Sequence, residues 1–375
     1  MEMFYDKEHC SGCGLCSFEC PKNAIIMKQD EEGFIYPHIQ QELCINCGKC
    51  VCVCPNRRKF AYTENDIIQC FAAENLDEKI RLNSSSGGVF SALASRILLD
   101  GGVVVSPRYN ENFELNHKII NKVNDFEAFR GSKYTQSRIG HLYEPIEQEL
   151  KTGRKVLFTG TPCQTSAMRE AFGNKYDNLV LQDVICHGCA SEKIMKYYLG
   201  EKAKEFNSEI DSICFRDKSN GWRDFSLKIV FKNGKIINES HKTNKFFQMH
   251  LKNIALRPSC YDCHFRKGNR DSDISLGDFW GHKGDDNKGT SVILVHTEKG
   301  KKLVEEVALD LKMDIADKNE VLQNNIAYNS ALEVPKKRKR FFSDKNHEIE
   351  HLYQLYVRRT IIDKVSDRIK KYVRK

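Results

Sequence analysis

The sequence predicts a chain of mixed α+β and α/β class, in which a small cysteine-rich module precedes a larger α/β domain and a helical tail. Three observations support this class: eight of the cysteines within residues 10–54 follow one repeated spacing, strands and helices alternate from about residue 67, and the C-terminal segment is basic and amphipathic. The predicted boundaries are 1–58 for the module, 67–150 and 151–312 for two parts of the α/β domain, and 313–375 for the tail.

The cysteines of the first module follow one spacing twice, C-x2-C-x2-C-x3-C and then proline. This spacing is typical of two bacterial ferredoxin-like 4Fe–4S clusters, in which the fourth cysteine of each run binds the other cluster. Zinc knuckles and disulfides fit less well, because zinc sites use separated C-x2-C pairs and disulfides need an oxidising compartment. A short hairpin around Glu32 and Gly33 is expected between the runs. The expected ligand sets are Cys10, Cys13, Cys16 and Cys54 for one cluster, and Cys44, Cys47, Cys50 and Cys20 for the other.

Composition and charge narrow the class of protein. The 375 residues are 40% hydrophobic, contain no apolar run long enough to span a membrane, and begin without a stretch resembling a signal peptide. Sixteen cysteines in that setting predict metal ligation in a reducing cytoplasm. The net charge of +8 is concentrated in residues 336–340 and at the C-terminus. Basic runs can bind nucleic acid or touch an anionic membrane surface, but most are solvated tails, and aromatic residues do not interleave with these, so nucleic-acid binding is not favoured.

The first part of the α/β domain contains a possible phosphate site. A strand at 69–75 leads to the serine- and glycine-rich residues 84–88, and a helix follows whose apolar residues share one face before a strand begins at Val103. Free N–H groups at that helix N-terminus could hold a phosphate, although an ordinary N-cap is the commoner outcome. The polar loop 131–137 could suit a nucleotide cofactor or form a surface turn.

The second part carries cysteines at the carboxyl ends of two predicted strands. Cys163 falls in the first turn of a helix, where the N-terminus is expected to lower its thiol pKa, and Cys186 ends the next strand. With the C-x2-C pair Cys260 and Cys263, these four thiolates suffice for a third 4Fe–4S cluster, with structural zinc or buried free cysteines as alternatives. Cys189 is a spare that could replace one ligand. The remaining cysteines, interpreted as small hydrophobes, are Cys52, Cys70 and Cys214.

Later elements complete the predicted domain. Residues 225–240 form a hairpin that turns at Asn233 and Gly234, and residues 291–297 form a strand. Thr297 is expected to cap a helix that carries apolar residues as far as Leu311.

These motifs, in this order, resemble the family of coenzyme F420 hydrogenase/dehydrogenase β subunits. GTPCQ at 160–164, CHG at 186–188, the C-x2-C at Cys260 and DISLGDFWG at 273–281 resemble its C-terminal half, while SSSGGVFSAL at 84–93 and GSKYTQS at 131–137 resemble its N-terminal half. The resemblance covers residues 1 to about 312 and implies FAD beside a cubane cluster held by Cys163, Cys186, Cys260 and Cys263. The family usually has proline where this chain has Cys189. The implied FAD-binding residues are Ser86, Gly87, Gly88, Lys133, Tyr134, Gln136, Ser137 and Thr161.

The resulting prediction is an iron–sulfur flavoprotein oxidoreductase of the cytoplasm. It would relay electrons from ferredoxin or a partner subunit through three 4Fe–4S clusters to FAD, for reduction of a small organic substrate or the reverse. The alternatives are a dehydrogenase of reduced coenzyme F420 and a non-catalytic wiring subunit; FRDKSNGW at 215–222 resembles stand-alone bacterial members.

Residues for the substrate end are predicted less sharply. His187 and Asp278 are the candidate catalytic residues, with Arg223 and Trp280 as candidates for orienting substrate. His187 could instead bond a cluster or the flavin, and Asp278 could cap backbone within a glycine-rich turn.

Overall fold

The first module consists of two one-turn helices and a hairpin arranged around the cysteines. The structure, a computed structural model, describes residues 6–58 and 67–358. The predicted hairpin is confirmed, since β1 pairs antiparallel with β2 and the Asp30 carboxylate accepts hydrogen bonds from the backbone N–H groups of Glu32 and Phe34 in the turn. The elements are α1 (Leu15–Phe18), β1 (Ile25–Gln29), β2 (Ile35–Ile39) and α2 (Lys49–Cys52).

The rest of the described chain alternates strands with helices. The strands are β3 (Gln69–Asn75), β4 (Val103–Tyr109), β5 (Leu115–Ile120), β6 (Val156–Gly160), β7 (Leu179–Val184), β8 (Ile210–Asp217), β9 (Ser226–Phe231), β10 (Ile236–Ser240), β11 (Ile274–Asp278), β12 (Ser291–Val295) and β13 (Leu311–Ile315). The helices are α3 (Glu78–Leu82), α4 (Val89–Leu99), α5 (Tyr143–Lys151), α6 (Pro162–Phe172), α7 (Glu192–Glu205), α8 (Lys245–Leu251), α9 (Glu298–Glu306), α10 (Lys318–Asn324), α11 (Arg338–Ser343) and α12 (Ile349–Leu352).

An eight-stranded mixed sheet forms the centre of the α/β domain, in the order β13-β3-β12-β11-β7-β6-β4-β5. The strands β4, β6, β7 and β11 are parallel, and β12 and β3 are added antiparallel in turn. The carboxyl ends of β3, β6, β7 and β11 therefore meet at one edge of the sheet. That edge is where open α/β sheets bind their ligands.

Both faces of this sheet are covered by helices whose apolar residues the sequence predicts. Val89, Leu93 and Ile97 of α4 are buried against one face together with α9. Because successive strand residues point to opposite faces, Val104 of β4 joins that core, whereas Val103 packs with α5 and α6 on the other face.

A smaller antiparallel sheet, β10-β9-β8, packs with α7 and α8 and with apolar residues of α11 and α12. The hairpin predicted at Asn233 and Gly234 is confirmed by the antiparallel register of β9 and β10. This sheet forms one wall of the large cavity described below.

The prediction was wrong after α9. The helix ends at Glu306, and Leu311 begins β13, which pairs antiparallel with β3 and so lies across the predicted boundary at 312. Leu311 is buried as the first residue of an edge strand opposite Asn75 of β3, so the pairing with β3 decides its conformation. The tail as far as residue 358 contains short helices, and the remaining basic residues, 359–375, lie outside the described residues. No helix within 6–58 and 67–358 is long and apolar enough to cross a membrane.

The cysteine module packs directly on the α/β domain. Leu15 joins the core formed by α5 and α6, and the Tyr143 hydroxyl donates a hydrogen bond to the Cys13 carbonyl at 3.1 Å. On the other side, the Arg338 guanidinium donates to both carboxylate oxygens of Glu32, at 3.1 and 2.5 Å. The module is thus held from both sides, on one of them by a residue of the predicted basic tail.

Candidate functional site

Two cavities of the N-terminal module are each lined by four cysteines. We call the cavity lined by Cys10, Cys13, Cys16 and Cys54 the inner cluster site, and that lined by Cys20, Cys44, Cys47 and Cys50 the outer cluster site. The structure thus brings together the two crossed sets expected from the spacing. α1 and α2, which carry Cys16 and Cys50, pack against each other and so bring the two sites side by side.

The residues of these sites fit the chemistry of a cluster. Burial raises the pKa of the Cys13 thiol to about 12, and burial followed by the neighbouring cysteines raises that of Cys16. Such thiols become thiolates only when iron supplies positive charge. The Ala24 N–H already donates to the Cys20 sulfur at 3.3 Å, a bond of the kind that tunes clusters. No three His, Cys, Asp or Glu side chains of the described residues converge on a single metal position, and a cubane does not require this, since each cysteine binds a different iron.

A third cysteine site lies at the carboxyl edge of the main sheet. Cys163 sits in the first turn of α6 and Cys186 follows β7, so both reach the edge where parallel strands end. Cys260 and Cys263 approach from a loop and line the same cavity, as does Cys189. The four residues expected to bind a third cluster are therefore brought together with the spare cysteine.

Cys189 lies between two of the others. Its backbone N–H donates a hydrogen bond to the Cys260 sulfur at 3.4 Å, and its thiol is hydrogen-bonded to the sulfurs of Cys186 and Cys260. The hydrogen bond from the Cys189 thiol lowers the pKa of Cys260 to about 7 and also lowers the pKa of Cys186. The expected lowering at Cys163 is wrong, because burial and then the nearby Cys263 thiol raise its pKa well above the usual value. A single helix turn does not outweigh complete desolvation.

A large cavity of about 670 Å³ continues from the third cysteine site along the same sheet edge. Its volume lies within the roughly 300–1,000 Å³ common for cofactor and ligand sites. The N-terminus of α4 opens into it: Gly88 is the N-cap with a φ of 88°, and no side chain of the described residues caps this helix. Uncapped N–H groups and the helix dipole favour an anion there.

Six of the eight residues implied for FAD binding line this cavity: Ser86, Gly88, Lys133, Tyr134, Ser137 and Thr161. The Lys133 ammonium donates to the carbonyls of Phe129 and Arg130 at 2.7 and 2.9 Å, and burial lowers its pKa to about 7. The loop 131–137 is therefore a wall of the cavity rather than a surface turn.

The other two implied residues have different roles in the structure. Gly87 donates to the Ser291 hydroxyl at 2.8 Å and accepts from the Asn75 N–H at 2.7 Å, so it joins the loop to β3 and β12. The Gln136 amide donates to the Ser11 carbonyl at 2.6 Å and thus contacts the N-terminal module instead of the large cavity.

Asp278 is the last residue of β11 rather than part of a turn, which corrects the prediction. Its carboxylate accepts two hydrogen bonds from Arg216, at 3.0 and 3.3 Å, and one from the indole N–H of Trp222. Trp222 stacks on Trp280 with ring centroids 4.3 Å apart. A carboxylate held by three donors is suited to positioning Arg216, not to carrying a proton. Arg223 also lines the large cavity and forms an ion pair with Asp285 at 2.6 Å.

His187 lies where the third cysteine site meets the large cavity. Its Nε2 hydrogen bonds to the Asn253 side-chain oxygen at 2.8 Å, and burial lowers its pKa despite that bond. It is therefore a neutral imidazole near neutral pH.

His250 is a residue that the sequence did not reveal. It is fully buried on α8, lines the large cavity, and its ring centre lies 5.0 Å from that of His187. Neither ring nitrogen has a hydrogen-bond partner among the described residues. A lone histidine in an apolar helix gives no signal before the fold is known. The interpretation of Cys52 and Cys214 as small hydrophobes was also wrong, since both are exposed, whereas Cys70 is buried as expected.

The inner cluster site, the third cysteine site and the large cavity form one continuous row. The inner cluster site and the third cysteine site share His9, Ser11 and Asn56 in their walls. The third cysteine site and the large cavity share Thr161 and residues 186–189. A path from the inner cluster site to the large cavity therefore passes through sites with common walls, and the outer cluster site adjoins the inner one through the packing of α1 on α2.

Comparison with known proteins identifies the family. Residues 9–57 match the 4Fe-4S dicluster domain, residues 70–143 match the N-terminal part of the coenzyme F420 hydrogenase/dehydrogenase beta subunit, and residues 153–321 match its C-terminal part. The chain belongs to the family of coenzyme F420 hydrogenase/dehydrogenase β subunits and carries an N-terminal 4Fe–4S dicluster domain.

Individual relatives are distant. The chain is 25% identical over 181 residues to one of the subunits of the F(420)H(2) dehydrogenase of Methanosarcina mazei, covering 46% of this chain and 51% of that protein. It is 25% identical over 339 residues to an uncharacterized protein of Methanocaldococcus jannaschii, covering 80% and 86%. It is 24% identical over 324 residues to the coenzyme F420-dependent sulfite reductase of that organism, covering 81% and 47%. The chain thus spans about half the length of two of these relatives.

Proposed function

We propose that this protein is an FAD-dependent iron–sulfur oxidoreductase that passes electrons between a one-electron partner and a small organic substrate. The observation that carries the proposal is the continuous row of cysteine sites ending at the large cavity. Three cluster sites without a further cavity would only conduct electrons. A cavity of cofactor size at the end of the row supports a catalytic site.

The residues divide the work along this row. Cys10, Cys13, Cys16 and Cys54 would hold one cluster, and the outer set a second. Cys163, Cys186, Cys260 and Cys263 would hold the third. FAD, when bound, supplies the conversion between single electrons and hydride transfer. The N-terminus of α4 and Lys133 would bind its diphosphate, because both present N–H donors in the large cavity.

The substrate end of the cavity is lined by groups that can orient and protonate. Arg216 is held by Asp278 and lies over the Phe225 ring at 3.9 Å, so its position is fixed without substrate. Burial and the neighbouring His187 keep the pKa of His250 well below its usual value, which leaves a neutral imidazole. With both nitrogens unpaired among the described residues, His250 can accept or donate one hydrogen bond to a bound molecule. The earlier candidate His187 is better suited to fixing the cavity wall through Asn253.

Coenzyme F420 is the second candidate for the organic reactant. Two relatives carry that coenzyme in their names, one in a dehydrogenase and one in a sulfite reductase. In that case the chain would oxidise the reduced coenzyme at the large cavity and deliver electrons to a partner subunit through the clusters.

Anaerobic purification with iron, sulfide and flavin analysis tests the proposal. We expect about twelve irons and one FAD per chain, from three cubanes of the cysteine-ligated type. Rapid mixing with reduced ferredoxin and, separately, with reduced coenzyme F420 then shows which donor bleaches the flavin. Fully metallated protein that does not bind added FAD would remove the catalytic assignment and leave an electron-wiring subunit.

A further inference from the structure

Outside the large cavity, Arg257 lies between the N-terminal module and the α/β domain and is 2% exposed. Its guanidinium donates to the Cys10 carbonyl at 2.8 Å, to the Ile35 carbonyl at 2.9 Å and to the Gln136 side-chain oxygen at 2.7 Å. Its Nη2 also lies 4.0 Å from the Cys10 sulfur. The guanidinium therefore contacts a ligand sulfur of the inner cluster site.

In the described part of the chain, the charge of Arg257 is not balanced by an ion pair. Its acceptors are neutral oxygens and a cysteine sulfur, and no carboxylate of residues 6–58 or 67–358 forms an ion pair with it. The Tyr36 ring, 4.2 Å away, offers only the weak negative face of an aromatic ring. Burying an unpaired cation is strongly unfavourable. A further negative charge is needed to explain this position.

A cubane supplies that charge, since four thiolates around the iron–sulfur core make it an anion. Arg257 also lies on the path to the third cysteine site. Its backbone N–H donates to the Cys189 carbonyl at 2.9 Å, and its carbonyl accepts from the Cys260 N–H at 3.0 Å. Gly12 permits the close approach, because a side chain there would meet the Ile35 carbonyl at 2.5 Å and the Arg257 Nη2 at 3.0 Å.

We propose that the Arg257 guanidinium is the counter-charge of the inner cluster and sets its reduction potential above the value that it would have without that charge. The place of Arg257 in the electron path rests on the proposed function, whereas the effect of its charge on the inner cluster requires only that this cluster is present. A nearby cation stabilises the reduced, more negative cluster. Arg257 is thus a positioning and potential-setting residue at the step between the N-terminal module and the third site.

The test is an EPR-monitored redox titration of the full-length, anaerobically purified protein carrying Arg257→Gln. We expect the ratio of reduced to oxidised inner cluster at a fixed potential to fall at least tenfold, which is 59 mV for one electron. The outer cluster should change less than threefold. Cys47→Ser alters a ligand of the outer cluster alone and Cys163→Ser a ligand of the third, so these two variants assign those midpoints and leave the remaining one to the inner cluster. Iron and flavin contents are measured on the same samples, so a missing third cluster or FAD counts against the proposed function alone.

Arg338→Gln is the matched control. Arg338 also bridges the module and the α/β domain, but its guanidinium is neutralised by Glu32 and contacts no cysteine among the described residues. It should leave the inner potential unchanged. If Arg257→Gln does not retain iron, Arg257→Lys is titrated instead, since an ammonium cannot reach all three acceptors and should give a smaller fall at the same cluster. An unchanged inner midpoint in the titrated variant, an equal shift of both clusters, or the same shift in Arg338→Gln would overturn the proposal.

Discussion

Replacing Gly87 by alanine tests whether the loop before α4 holds the cofactor. The added Cβ would lie 2.2 Å from the Ala73 carbonyl oxygen and 2.7 Å from the Ser291 nitrogen. Both atoms belong to the backbone of paired strands, which cannot shift easily, so the loop that carries Gly87 must move. Movement weakens the hydrogen bonds of Gly87 with Ser291 and Asn75, each contributing about 1 kcal/mol. Overpacking adds about 1–3 kcal/mol.

If at least 2 kcal/mol of this strain is relieved by displacing the α4 N-terminus, FAD affinity falls about 30-fold. The measurement is titration of flavin-depleted protein with FAD by flavin fluorescence, with circular dichroism to show that the fold persists. Gly101→Ala is the control: Gly101 lies just beyond the other end of α4, has a φ of 77°, and a Cβ there meets no atom within 4 Å. It should cost about 1 kcal/mol of stability from left-handed strain but leave FAD affinity unchanged. Normal affinity in Gly87→Ala, or an equal loss in both variants, would refute the reasoning.

Three further predictions concern the large cavity, the third cysteine site and a buried ion pair. Because burial lowers the Lys133 pKa to about 7, FAD affinity should fall as pH rises above 7, by up to tenfold per pH unit while Lys133 keeps its proton in the FAD complex. Lys133→Arg should abolish this pH dependence in the same fluorescence titration. A pH dependence that persists in Lys133→Arg would contradict the role of Lys133. Cys163→Ala should lower the iron content by about four atoms per chain, whereas the control Cys70→Ala should leave the iron content unchanged. About twelve irons in both variants would exclude Cys163 as a ligand. Arg81→Leu removes the guanidinium 2.9 Å from the buried Glu74 carboxylate, to which Thr290 and the more distant Lys312 remain as contacts. It should reduce the free energy of unfolding in urea by about 3 kcal/mol, whereas the more exposed pair of Arg96 with Asp100 should contribute at most about 0.5 kcal/mol. Equal losses would show that burial does not decide the effect.

The local elements were predictable because their signals are local. The cysteine spacing, the apolar face of α4 and the Asn233–Gly234 turn each depend on a few neighbouring residues, and the structure has the expected elements at these places. The crossed cysteine sets followed from the bacterial two-cluster spacing, in which the fourth cysteine of each run binds the other cluster.

What could not be predicted depends on contacts between distant segments. Leu311 fits a helix face in sequence, but pairing with β3 makes it a strand residue. Gln136 matches a cofactor motif, yet it turns toward Ser11 because the N-terminal module is packed against this loop. Arg257 and His250 carry no local pattern at all. Among the described residues, Arg257 is marked by burial without a carboxylate partner, and His250 by burial without a hydrogen-bond partner.

The two kinds of cysteine site differ in how much chain must exist before each can be filled. The inner and outer sites are built within residues 10–54, so all of their ligands are available as soon as the N-terminal segment has been synthesised. The third site needs Cys163 and Cys263 together; Cys163 follows β6 and Cys263 precedes β11, so the two meet only after β6 and β11 have both paired with β7. Iron loading should therefore occur in two stages during biogenesis, an early one that depends on a short peptide and a late one that reports completion of the central sheet.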